Sequence, residues 1–170
     1  MEKPERKHPR LTEYDYSSNG AYFITICTQN REQCLAVVGQ GLAPAEPAEI
    51  HLKMAGKIAA GQIPLLMNRF PCLHISNYVI MPNHIHLLLM LEENTAGASP
   101  RPTVPEIIGA YKSLVTRQYN MACGRNGQKL FQTSFHDHII RDEADYQKHR
   151  QYIDTNPANG QRMNITHLKP

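Results

Sequence analysis

No stretch of this chain restricts its fold more than Met81-Pro82-Asn83-His84-Ile85-His86-Leu87-Leu88-Leu89-Met90-Leu91. It is too short to span a membrane and too apolar to lie on a surface, so it reads as a buried strand entered through a Pro-Asn turn. Side chains of a strand alternate between faces. His84 and His86 therefore share one face, and Ile85, Leu87, Leu89 and Leu91 share the other. Two imidazoles on one face can each offer a ring nitrogen to a single cation, and neutral imidazole is a common metal ligand. An isolated His-x-His is more often a structural pair, so the reading depends on what else the chain brings to that face.

The background is that of an ordinary globular protein. Hydrophobic residues make up 41% and charged residues 19% of 170, which suits one domain over 1–170 with short flexible termini (about 1–15 and 158–170) and excludes a disordered profile. A formal net charge of +3 permits a polyanionic partner without requiring one. Cys27, Cys34, Cys72 and Cys123 form no Cys-x-x-Cys pair, which leaves a zinc ribbon or thioredoxin-like site unsupported and suggests reduced thiols. The first residues lack the apolar core of a signal peptide, and no run reaches the roughly 18 apolar residues of a membrane span. The expectation is a soluble, cytoplasmic protein without membrane association.

Along the chain, Ala21 to Thr28 is rich in β-branched and aromatic residues and predicts a first strand. Leu35 to Val38 predicts a short second strand, closed by Gly39 and Gly41. Apolar positions 50, 54, 55, 58 and 59 predict a helix within Pro47 to Met67, ending or bending at Gly61 and Pro64. Leu73 to Met81 predicts a strand, and the Pro82-Asn83 turn joins it to the His-x-His strand as a hairpin. A Gly/Pro/Ser-rich loop runs from Asn94 to Pro102. Thr103 and Glu106 form a capping box for a helix whose apolar stripe includes Ile107, Ile108, Tyr111, Leu114 and Val115. Leu130 to Arg141 predicts an extended segment. Asp142 caps a last helix, which Pro157 ends. The order β-(β)-α-β-β-α-β-α implies an α+β fold: an antiparallel sheet carrying helices on one face.

The last helix contains Tyr152 and Asn156, four residues apart and so on one helical face. If that face packs over His84 and His86, Asn156 can complete a His-His-Asn site through its carbonyl oxygen, with the Tyr152 phenol beside the ion. A phenol next to a divalent cation suits attack on a phosphodiester. The cation neutralises developing charge and orients the phosphorus, which compensates for a nucleophile whose pKa is near 10.

These residues carry a resemblance. The His-hydrophobic-His strand followed by a tyrosine helix resembles the HUH superfamily of single-strand nucleases and transposases. Tyr78-Val-Ile-Met-Pro-Asn-His-Ile-His86 is similar to the single-tyrosine transposases of insertion sequences. The stretch Phe135-His-Asp-His-Ile-Ile-Arg through Tyr152-Ile-Asp-Thr-Asn156-Pro157, with Tyr14-Asp-Tyr-Ser-Ser-Asn-Gly-Ala-Tyr-Phe-Ile-Thr25, resembles the REP-associated tyrosine transposases over about residues 10 to 160. The resemblance implies an RRM-like palm, single-stranded DNA recognised beside a hairpin, and Mg²⁺ or Mn²⁺ as cofactor. It implies metal-dependent cleavage and strand transfer through a 5′-phosphotyrosine on Tyr152, with His84 and His86 as metal ligands and Asn156 as third ligand. Relatives include monomers and homodimers, and the sequence leaves a homodimer open.

The competing readings are definite. Tyr146 lies on a different face from Tyr152 and reads as core, as do Tyr111 and Tyr119. A second His-x-His, His136-Asp137-His138, is the alternative metal pair. Lys112, Arg117, Arg141, Lys148 and Arg150 are candidate phosphate contacts, each also readable as part of a solvated face. A domesticated hairpin-DNA-binding protein without cleavage activity is the alternative function. A small-nucleotide phosphoesterase is the third; histidine-triad hydrolases are disfavoured because position 88 is leucine.

Overall fold

Strand patterning and one tight turn organise the centre of the molecule. The computed structural model describes residues 15–39, 49–92 and 102–156. The expected flexible tails, most of the Asn94–Pro102 loop, Gly41 and Pro157 lie outside these residues. Strands β4 (Leu73–Met81) and β5 (His84–Leu91) form the expected hairpin, with Met81 paired to His84 across Pro82-Asn83. The turn is tied down from outside. The Leu35 N–H donates to the Pro82 carbonyl, and the Thr28 N–H donates to the Asn83 carbonyl at 3.0 Å.

Strand β1 (Gly20–Cys27) pairs with β5 on one side and with β6 (His136–Ile140) on the other, so the antiparallel sheet runs β4-β5-β1-β6. One face of this sheet is the main core. Tyr22, Ile24 and Ile26 of β1 and Ile85, Leu87 and Leu89 of β5 are wholly buried there. Helix α1 (Met54–Arg69) and helix α2 (Val104–Ala122) cover them. Helix α2 starts at the expected box: the Glu106 N–H donates to Thr103 Oγ1, and the Thr103 N–H donates to Glu106. Tyr111 is fully buried in this core and donates its hydroxyl to the Ala59 carbonyl at 3.0 Å, while Tyr119 packs half-buried at the core edge.

Three expectations are corrected. First, the segment before α1 is not helical. Glu49–Leu52 forms strand β3, paired antiparallel with β2 (Ala36–Gly39). Positions 50 and 54 have helical spacing, but Ile50 and Leu52 alternate around His51, and no side chain caps the helix at Lys53 to mark its start. Second, α1 runs through Gly61 and Pro64 to Arg69. A proline inside a helix costs about 3 kcal/mol. Ile63 and Leu66, both buried, together return roughly 3–6 kcal/mol, enough to carry the helix past it. Third, the helices do not share one face. Helix α3 (Glu143–Thr155) lies on the opposite face from α1 and α2, against Val79 and Leu88 through Ile153. Leu88 alternates onto the histidine side, where an apolar helix residue can cover it.

One glycine is required by close approach. A Cβ at Gly56 would stand 2.1 Å from the Leu35 carbonyl oxygen, which itself accepts from the Lys53 N–H.

Candidate active site and metal centre

Register decides what stands beside the two imidazoles. Across the sheet, His84 pairs with Cys27 and His86 with Thr25, while Thr25 also pairs with His136 and Phe23 with His138. Directly paired residues share a face. The two His-x-His motifs, read from sequence as rivals, therefore occupy one face, separated only by β1.

The His84 and His86 rings approach to 4.6 Å between centroids. Both present a tethered Nδ1. His84 Nδ1 lies 2.8 Å from Asn83 Oδ1, and His86 Nδ1 lies 2.9 Å from Thr25 Oγ1. An amide oxygen only accepts, so the His84 proton sits on Nδ1 and the lone pair on Nε2. His86 Nε2 is buried and has no hydrogen-bond partner among the described residues. A proton there would be a buried, unpaired donor, costing about 1–3 kcal/mol; a lone pair there is a ready ligand. Burial, together with the neighbouring His84, holds the His86 pKa down at about 3, and burial with Arg31 nearby lowers that of His84. Both rings are neutral at physiological pH, as ligands must be. An orphaned nitrogen on His86, a fixed tautomer on His84 and neutral rings together fit a divalent cation.

Helix α3 brings Tyr152 to this pair. Its ring stands edge-on 5.3 Å from His86 and 5.9 Å from Phe23, and it is 48% exposed. Phe23, Thr25, His86, Lys148, His149, Gln151, Tyr152 and Thr155 line a cleft of about 500 Å³. Asp142 starts the helix by accepting from the Asp145 N–H, as its sequence position predicts. Tyr146 sits half-buried against the Val79/Leu88/Ile153 cluster, away from the cleft lining. Asn156 caps the C-terminus of α3 and is not among the cleft-lining residues.

The five basic candidates separate. Lys148 lines the cleft. Lys112 and Arg117 lie in a second, larger groove of about 700 Å³ that also takes in Arg125, Lys129 and Phe131; there the Lys112 ammonium donates to the Thr133 carbonyl. Arg141 is exposed at the β6–α3 junction, and Arg150 is exposed on α3 outside both cavities.

Relatives place this architecture. The chain is 31% identical over 172 residues to an uncharacterized protein of Haemophilus influenzae, covering 89% of this chain and 88% of that one. A second Haemophilus influenzae protein, carrying the name REP-associated tyrosine transposase, is 37% identical over 87 residues, 46% of each chain. The fold is similar to that of a REP-associated tyrosine transposase solved bound to a REP hairpin, with a TM-score of 0.54 and 22% identity over 87% of this chain and 73% of that one. Part of this chain is therefore similar in sequence, and most of it in fold, to REP-associated tyrosine transposases. No general family model matches it.

The expected α+β architecture, an antiparallel sheet with packed helices, is the one observed. No described helix is long and apolar enough to cross a membrane. Four residues around the site were not legible as site residues in the sequence. Thr25 and Asn83 orient the imidazoles, and His149 and Asp145 stand on the near side of α3. Asn83, adjacent to His84 in a turn, carries the most local signal of the four. Thr25 becomes visible only when β1 and β5 are in register.

Proposed function

We propose that this chain is a tyrosine transposase, a divalent-cation-dependent enzyme that nicks and joins single-stranded DNA beside hairpins. The carrying observation is the Tyr152 ring, half exposed in a cleft, 5.3 Å from a His86 ring whose outer nitrogen has no partner among the described residues. His84 and His86 would hold Mg²⁺ or Mn²⁺, with Asn156 as third donor. When bound, that ion supplies charge neutralisation and orientation at the scissile phosphate.

The protein's own part is the covalent step. The Tyr152 oxygen bonds to phosphorus as the phosphorus–3′-oxygen bond breaks; the phenol loses its proton, and the leaving oxygen gains one. A 5′-phosphotyrosine and a free 3′ hydroxyl result. One phosphodiester replaces another, so a different 3′ hydroxyl can reverse the step and join strands. Phe23 and Tyr152 offer faces for unstacked bases, and Lys148 a phosphate contact at the cleft. Lys112, Arg117, Arg141 and Arg150 are proposed as further phosphate contacts. The hairpin bound by the solved relative supports hairpin DNA as partner. Tyr152 stands beside its own chain's imidazole, so a homodimer is unnecessary for assembling the site. Action on DNA suits the expected cytoplasmic location.

The test is a denaturing gel of labelled hairpin-bearing single-stranded DNA incubated with Mn²⁺. A covalent protein–DNA band is expected, absent in Tyr152→Phe. A band that persists in that variant would overturn the nucleophile. Binding without any band at high Mn²⁺ would favour the domesticated, non-cleaving reading.

A further inference from the structure

We infer that His138, Asp145 and His149 form a second cation site, distinct from the His84/His86 pair, which takes a Zn²⁺-class dication and clips β6 to the start of α3. The site stands on its own geometry; its influence on strand transfer rests on the proposed function.

The donor atoms of these three side chains lie within 4.8 Å of one another. His138 Nε2 is 2.8 Å from Asp145 Oδ2, and His149 Nδ1 is 3.2 Å from Asp145 Oδ1. The two rings stack at 4.6 Å between centroids and 26°. A tetrahedral Zn²⁺ with ligands at about 2.0–2.2 Å needs donors roughly 3.3–3.5 Å apart. The His149 contact is already near that spacing, and His138, with 46% of its side chain exposed, can move to meet it. Two imidazoles and a carboxylate suit zinc and leave a fourth position for water.

The surroundings favour a cation there. The Arg141 backbone N–H donates to Asp145 Oδ2 at 3.3 Å and holds that carboxylate in place, as outer partners of metal ligands do. Asp142 and Glu143 add negative charge at the same helix start, offsetting the positive end of the helix dipole. Without an ion, each imidazole hydrogen-bonds to Asp145 through the nitrogen that would ligate: His138 Nε2 to the carboxylate, His149 Nδ1 to the backbone carbonyl. On binding, each ring proton moves to its other nitrogen, and the freed lone pairs face the ion.

The position gives the site a consequence. Helix α3 carries Tyr152 yet buries only Ile153. An ion joining His138 of β6 to Asp145 and His149 of α3 would fix the helix one turn before the phenol. Phe23 separates the two sites: its ring lies 4.6 Å from His149 and 5.0 Å from His86. They can therefore be emptied independently.

The test uses the full chain, Zn²⁺ for calorimetry and Co²⁺ for visible absorption. The expected result is one Zn²⁺ bound per chain in His84→Ala/His86→Ala. In this background Co²⁺ should give a nitrogen/oxygen-type spectrum without thiolate bands, and Zn²⁺ should slow backbone hydrogen exchange over residues 143–155. His138→Gln, at an exposed position, should weaken Zn²⁺ binding at least tenfold, and Asp145→Asn should remove the exchange protection. Zn²⁺ binding unchanged by both substitutions, thiolate bands in the Co²⁺ spectrum, or no Zn²⁺ binding in the His84→Ala/His86→Ala background would each overturn the site. The DNA-adduct assay plays no part in the readout, so failure of the proposed function would be seen separately.

Discussion

The two faces of one sheet divide the labour. The leucine face is sealed by α1 and α2, and its β1 and β5 residues are fully buried. The histidine face carries two imidazole pairs, and the helix over it buries a single residue. Strand alternation makes such a division possible in β5 itself, where neighbouring residues serve opposite purposes. The difference teaches where stability and chemistry reside. One face can lose little without unfolding, while the other can lose functional groups at small cost to the fold.

That contrast can be broken or sharpened by substitution. The largest effect should follow removal of the imidazoles. His84→Ala with His86→Ala should lower DNA cleavage about 10³-fold, in keeping with several kcal/mol of cation-derived stabilisation. Hairpin DNA retention in a gel-shift assay should change little. Undiminished cleavage would move the chemistry off this face.

Next in size is the core of the opposite face. Leu87→Ala should cost about 2–5 kcal/mol in denaturant unfolding. A loss below 1 kcal/mol would mean that the leucine face does not carry the fold.

Acid should act through the histidine face. The ordinary His86 pKa of 6.5 applies to the unfolded chain, and the folded value is about 3. The unfolded chain thus takes up the proton first as pH falls. The His86 contribution is complete above 6.5 and is lost progressively down to about 3, at about 1.4 kcal/mol per pH unit. His86→Gln should flatten the stability profile across that window, measured by urea midpoints; an unchanged slope would show that His86 does not carry the acid sensitivity.

The smallest effect should be at the α2 cap. Thr103→Ala should cost about 1 kcal/mol by thermal unfolding and leave cleavage untouched.

Local patterns made much of this legible. The hairpin, its turn, the shared face of His84 and His86, the Thr103–Glu106 box and the Asp142 cap each depend on residues adjacent in sequence or one helical turn apart. Strand β3 was missed because a spacing of four suits a helix, and four residues are too few to declare an alternation. The course of α1 through Pro64 was missed because burial of Ile63 and Leu66, a tertiary quantity, outweighs a local penalty.

The amino-acid order by itself determined which side chains could face together within each element: the imidazole pair, the leucines behind it, and a tyrosine on a late helix. Only the folded chain decided which elements meet. Placing β1 between β5 and β6 set Thr25 against His86 and brought His136 and His138 onto the same face, and packing α3 over it set Tyr152 and His149 nearby. The reason is physical. Alternation and helical period are properties of a few consecutive backbone angles, whereas strand order is fixed by the burial of apolar surface from distant parts of the chain.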